Sequence, residues 1–172
     1  TRRVGIHGIG GLGHVGIQIA DAMGLETVAI STSMQKQADA ERFGADEFIV
    51  TDGDDNLLDG KRRVDVLLST VPDVSLERRV TDVAANGTVV VIGTDGSGQG
   101  QLSIPDRSLI GRRRSVAGAL SGPPTAVEDC VDFCARNDVR PDIETYTPDE
   151  VATAFDRLDR GEVSYRAVVE FE

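Results

Sequence analysis

Residues 3–13 constrain this chain more than any other stretch. They read Arg3-Val4-Gly5-Ile6-His7-Gly8-Ile9-Gly10-Gly11-Leu12-Gly13, a short β-rich run that dissolves into glycine. Helical spacing over residues 12–23 follows at once, with Val15, Ile19, Ala22 and Met23 on one stripe. Glycines at 8, 10 and 13 form the pattern G-x-G-x-x-G between a strand and a helix, the context that gives the pattern its meaning. Gly8 permits the tight turn, Gly10 lets backbone approach a pyrophosphate, and Gly13 lets the helix pack on the strand. Unpaired N–H groups and the positive end of the helix dipole then face an anion, and Gly11 and Leu12 belong to the same turn.

The rest of the chain keeps the rhythm that this opening starts. Strands are predicted over residues 27–31, 47–50, 64–69, 88–92 and 115–120. Helices are predicted over 35–43, stopped by Gly44, and over 76–85, stopped by Asn86-Gly87. Residues 51–60 read as an acidic loop and 93–100 as a glycine-rich one. Alternation of this kind implies right-handed crossovers and an α/β Rossmann fold. Its doubly wound, six-stranded parallel sheet would have the order 3-2-1-4-5-6. Beyond it come a helix over 124–137 with Pro124 at its start, a strand over 142–146 and a helix over 148–160. Thr147 and Glu150 are spaced as a capping box for that last helix, and a final strand covers 165–171. The expected division is a nucleotide-binding domain over 1–138 and a C-terminal strand-helix-strand extension over 139–172. Cys130 and Cys134, four apart on a helix beside Val127 and Val131, read as buried core thiols in a reducing, cytoplasmic compartment. Their Cβ atoms would be roughly 5–6 Å apart, too far for an easy disulfide.

Charge narrows the partners. The net charge of −11 repels phosphate backbones and anionic lipid, so nucleic acid and membrane are poor partners, and no run of 18 apolar residues exists to span a bilayer. Lys36 and Lys61 are the only lysines, and Asp outnumbers Glu by 19 to 10. Such a surface suggests a salt-rich, halophilic cytosol, with an arginine-rich genomic bias as the plainer account. The chain opens at Thr1, two residues before an apolar run, with neither an initiator Met nor a visible signal peptide, which suggests a cut piece of a longer protein.

Against that acidic background the end of the second strand stands out. An NAD enzyme carries Asp or Glu here for the ribose hydroxyls. This chain has Ser31-Thr32-Ser33 followed by Lys36, three hydroxyls and an ammonium that suit a 2′-phosphate, and so NADP(H). A helix cap with a solvated lysine is the structural alternative. Flavin and methyltransferase domains usually need an acid where Ser31 stands. Tyr146 and Tyr165 lack the lysine four residues on that short-chain dehydrogenases use. The only histidines, His7 and His14, are placed for packing or the cofactor loop, which argues against a lactate-type enzyme.

Five segments in order carry a wider likeness: Val4-Gly-Ile-His-Gly-Ile-Gly-Gly-Leu-Gly-His14, Ser31-Thr-Ser with Lys36, Phe43-Gly-Ala-Asp46, Ser108-Leu-Ile-Gly-Arg-Arg-Arg-Ser-Val-Ala-Gly118 and Val163-Ser-Tyr-Arg-Ala-Val-Val169. Together they resemble the cofactor-binding half of medium-chain, zinc-type alcohol dehydrogenases of the cinnamyl-alcohol-dehydrogenase kind. The resemblance implies reversible hydride transfer between a small alcohol or aldehyde and a nicotinamide dinucleotide. Zinc would sit in a catalytic domain that precedes the cofactor domain, so this chain alone is expected to hold no metal ligands and to be inactive. It further implies that Thr70, Val71, Gly93 and Thr94 lie near the nicotinamide end, and that the backbone of Ala119, Leu120 and Ser121 holds the carboxamide. Arg166 would reach the pyrophosphate, residues from about 139 would return to the catalytic domain, and the edge near 115–120 would pair in a homodimer. A zinc-free quinone-oxidoreductase-like reductase would share this half, and ligand spacing in the preceding domain separates the two. A non-catalytic nucleotide sensor is the second rival; the 139–172 tail, shaped to complete another domain, argues against it.

Overall fold

The structure is a computed structural model that describes residues 2–51, 58, 62–72, 76–93 and 103–171. Six parallel strands form one sheet: β1 Arg3–His7, β2 Glu26–Ser31, β3 Glu47–Val50, β4 Val64–Ser69, β5 Val83–Val91 and β6 Ser115–Gly118. Their order is β3-β2-β1-β4-β5-β6, the doubly wound arrangement expected from the sequence. Helices α1 Gly13–Ala22, α2 Gln37–Arg42, α3 Leu76–Asp82 and α4 Asp106–Ile110 connect them. After β6 come α5 Pro124–Arg136, β7 Ile143–Tyr146, α6 Val151–Asp159 and β8 Arg166–Val169. β7 and β8 pair in parallel as a second, two-stranded sheet, and the Thr147–Glu150 capping box closes as its spacing predicts. No helix among the described residues is long and apolar enough to cross a membrane.

Two apolar clusters hold the large sheet. Ile6, Ile17, Ala20, Ala29, Ala40 and Phe43 pack under α1 and α2. Val28, Ile30, Leu67, Val80, Val83 and Val89 form the other cluster. At the far end of the strands from the glycine turn, buried Arg3 makes ion pairs with Glu26 and Glu47, and its own N–H donates to Asp65 at 2.8 Å. One arginine thereby ties β1, β2 and β3, with its carboxylates supplying the partners that a buried charge requires.

Four sequence expectations need correction or completion. The helix predicted over 76–85 stops at Asp82, and β5 begins at Val83, whose fully buried side chain joins the core. Asn86-Gly87 therefore marks a bulge rather than a helix stop. Val64 pairs with Val83 and Val66 with Thr88, five residues of β5 against two of β4, and Asn86 sits at φ 63°. The short helix α4 was not anticipated. Cys130 is exposed and Cys134 half-buried, because α5 contributes no buried residue at all. Its period names a face but not a cover for that face. The final strand is shorter than 165–171 and spans Arg166–Val169. The acidic loop over 51–60, apart from Thr51 and Leu58, and the glycine-rich loop beyond Gly93 lie outside the described residues.

Candidate cofactor-binding site

The glycine turn closes β1 over the ends of β2 and β4. Gly8 has φ +93°, and a Cβ there would meet Thr70 Oγ1 and Val71 Cγ1 at 2.7 Å. Thr70 locks the turn from β4: its hydroxyl donates to the carbonyls of His7 and Gly8 at 3.1 and 3.0 Å. A Cβ on Gly13 would stand 1.8 Å from the Gly8 carbonyl oxygen, so the helix can approach the strand only without one. Gly10 differs, since nothing lies within 4 Å of where its Cβ would be. Open ground at that glycine is what close approach by a ligand needs.

A cleft of about 280 Å³ opens beside the turn. Gly8, Ile9 and Gly10 form one wall, Ser31, Thr32, Ser33 and Lys36 a second, and Thr70, Val71 and Pro72 a third. A second cleft of about 200 Å³ shares Gly10 and Thr70 and adds Gly11, Leu12 and Arg166. Every described polar or glycine residue in these walls apart from His7 is among the candidates that the motifs or the family resemblance single out. Among the described residues neither set of lining residues contains a carboxylate, in a chain whose net charge is −11. Lys36 and Arg166 supply the positive charge.

Each basic group is held. The Lys36 ammonium donates to the Ile9 carbonyl and lies 5.8 Å from the centre of the Tyr165 ring. Burial lowers its pKa and the Asp39 charge offsets part of that. Arg166 donates from Nε to the Gly11 carbonyl at 2.9 Å, and neither terminal guanidinium nitrogen bonds a described residue. A Cβ on Gly11 would meet the Tyr165 carbonyl at 2.8 Å, so the glycine lets β8 reach the turn. Two of the three hydroxyls do local work: Ser31 Oγ accepts from Ser33 N–H at 3.2 Å, and Ser33 Oγ caps the following turn by accepting from Gln35 N–H. Thr32 is exposed.

The remaining candidates lie elsewhere. Gly93 packs on the β4 end, where a Cβ would meet the Val71 carbonyl at 2.1 Å. Ala119 continues the ladder from β6, donating its N–H to Val91 at 3.0 Å, and with Leu120 and Ser121 it is exposed and outside both clefts. Thr94 lies outside the described residues. His7, buried at the end of β1, faces Ser69 Oγ at 3.2 Å, and burial together with the Arg79 charge pushes its pKa down to about 4. Sequence reasoning did not assign Tyr165, whose hydroxyl donates to Asp39 at 2.7 Å. No local signal marks a contact across 126 residues. Among the described residues no group of three or more His, Cys, Asp or Glu side chains is placed to hold a metal ion.

Comparison with known proteins places this geometry. The zinc-binding dehydrogenase family model matches residues 11–136. The chain is 34% identical to aldehyde reductase YahK of Escherichia coli over 98% of its own length and 48% of the relative's. It superposes with a TM-score of 0.87 on a cinnamyl alcohol dehydrogenase from Sorghum bicolor, at 30% identity over 98% of this chain and 47% of that one. A Helicobacter pylori cinnamyl alcohol dehydrogenase complexed with NADP(H) gives 0.83 at 25% identity, again over 98% of this chain and 47% of the other. The chain spans about half the length of the relatives it matches.

Proposed function

This chain belongs to the zinc-binding dehydrogenase family, and from that premise we propose that it is the NADP(H)-binding half of an alcohol dehydrogenase acting on small alcohols or aldehydes. The observation that carries the reading is the pair of clefts at the glycine turn, with no carboxylate among their described lining residues and with Lys36 on one side and Arg166 on the other. Gly8, Gly10, Gly11, Leu12 and Gly13 would cradle the pyrophosphate, with the paired donors of Arg166 suited to its oxygens. Ser31, Thr32, Ser33 and Lys36 would hold the ribose 2′-phosphate. Thr70, Val71 and Gly93 would lie towards the nicotinamide, with Thr94 and the Ala119–Ser121 backbone beyond them. When bound, the dinucleotide supplies a hydride donor or acceptor; the chain's own contribution is binding and orientation. Residues 139–172 would complete a catalytic domain that carries the zinc, and the β6 edge would pair in a homodimer.

Calorimetric titration of this chain should give NADPH at least about tenfold tighter than NADH, or about 1.4 kcal/mol. Ser31→Asp should reverse the order by setting a carboxylate against the phosphate. Arg166→Ala should weaken both cofactors alike, by about 1–3 kcal/mol, because both share the pyrophosphate. Equal affinity for the two cofactors in the unmodified chain would sink the NADP(H) assignment.

A further inference from the structure

Two side chains one turn apart on α1 hold the same extended stretch ahead of β7. The Gln18 amide donates to the Arg140 carbonyl at 2.9 Å and accepts from the Arg140 N–H at 3.2 Å. Two residues on, the Asp142 N–H donates to His14 Nε2 at 3.0 Å. The other ring nitrogen, Nδ1, donates to the Gly10 carbonyl at 2.9 Å. A backbone N–H can only donate and a carbonyl can only accept. Both bonds therefore require one species, the neutral imidazole with its proton on Nδ1. The ring is fully buried and packs in tilted contact with Tyr165 at 4.5 Å and Phe43 at 5.4 Å.

One partner, Gly10, lines the clefts, and the other, Asp142, precedes the strand that pairs with Arg166. Gly10 lines both clefts, and the Gly10 carbonyl also accepts His14's own N–H at 3.1 Å, so both of its lone pairs face α1. A trans peptide then points the Gly11 N–H the opposite way, out of the helix. On the other side, Asp142 leads into β7, β7 pairs with β8, and β8 begins at Arg166. Tyr165, in contact with the ring, is held at φ 66°, a strained conformation for a tyrosine.

We propose that His14 is a positioning residue whose Nδ1-protonated ring joins the glycine turn to the 140–142 stretch, and so keeps Arg166 and the turn's N–H groups aligned on one anion. The proposal rests on the nucleotide-binding reading above. Protonating Nε2 would set an N–H against the Asp142 N–H and break the join. Burial lowers the pKa of the ring most; the bond to the Gly10 carbonyl and the Asp142 charge favour protonation, and Arg166 of β8 and Arg42 of α2 oppose it, with a net lowering. Tyr165 in turn donates to Asp39, and the Lys36 ammonium lies 5.8 Å from its ring centre.

The test uses nitrogen NMR of the His14 ring, amide exchange at Asp142 and NADPH titration on the full chain. In the unmodified chain Nδ1 should carry the proton at neutral pH. Protection of the Asp142 amide, taken against its intrinsic exchange rate at each pH, should fall, and NADPH affinity with it, as the pH drops below the ordinary imidazole range. His14→Asn keeps a donor near Gly10 but is too short for Asp142; exchange there should rise, and NADPH should weaken, each about tenfold. His14→Gln reaches Asp142 with an acceptor that does not titrate, and should restore both while flattening the pH profile. A proton on Nε2, or an Asn variant within about twofold of the unmodified chain, would overturn the proposal. If the Asn variant does not fold, the ring spectrum and the Gln profile decide. If the unmodified chain binds no NADPH, the nucleotide reading falls and the anion role with it, whereas Asp142 exchange still decides whether His14 is the join.

Discussion

The first fifty residues and the stretch from β6 through α5 carry the same kind of sequence and end in different environments. β1 is buried throughout and β2 at all but its first residue, while α1 buries Gly13, His14, Ile17 and Ala20. β6 has no fully buried residue, α5 has none, and Leu120, Val127 and Val131 are exposed. Both regions show strand and helix periodicity. A period assigns residues to a face, and only a neighbour turns that face into core. The unit that holds the glycine turn finds its neighbours within this chain; α5 fully buries none of its apolar stripe against the described residues.

The largest expected effect contrasts one substitution in the two regions. Gly13→Ala drives a Cβ to within 1.8 Å of the Gly8 carbonyl oxygen, a backbone atom that cannot swing aside. It should cost about 3 kcal/mol or more. Gly118→Ala on β6 meets nothing within 4 Å, and should be neutral or stabilising by about 0.5 kcal/mol, since glycine weakens a strand. Urea unfolding of the two variants checks this, and equal losses would erase the contrast.

Acid should also act on the first region. The only two histidines are His7 and His14, both in it. His7 titrates near 6.5 in an unfolded chain and near 4 in the fold. Between those values the unfolded chain binds more protons, so stability falls as pH drops through the window. His7 alone contributes about 3 kcal/mol by its lower end. His14, also lowered by burial, pushes the same way. Unfolding free energy measured from pH 7 to 4 should show the fall, and His7→Asn should remove the larger share. A profile that is flat here, or unchanged by the variant, would contradict the burial of His7.

These contrasts explain what the sequence could and could not show. The strand order, the glycine turn and the neighbourhood of Ser31 and Lys36 were legible, because each depends on local periodicity or on the end of a strand, whereas Thr70 was pointed to by the family resemblance alone. The α3–β5 boundary was not, since Asn86-Gly87 serves a helix stop and a bulge equally well, and only the burial of Val83 against Val64 and Val80 decides. His14 read as structural, but its partner Asp142 lies 128 residues away, and no pattern near either residue announces the other. Likewise the stripe that suggested buried thiols at Cys130 and Cys134 was real, and its cover was not in the sequence.

The smallest expected effect tests that missing cover. Val131 is 61% exposed in the middle of α5. Serine and valine have nearly equal helix propensities, so Val131→Ser leaves the helix term unchanged and reports burial alone. With most of the side chain already in water, the remaining loss should be at most about 0.5 kcal/mol. By contrast, fully buried Ile17 should lose about 2–5 kcal/mol on truncation to alanine. Thermal unfolding at low chain concentration measures both. A loss above about 1 kcal/mol at Val131 would mean that something covers α5 in solution and that the contrast between the regions is false. Repeating the scan at increasing chain concentration identifies that cover. A loss that grows with concentration assigns it to a second copy of the chain, because association stabilises by mass action; a constant loss assigns it to the chain's own fold.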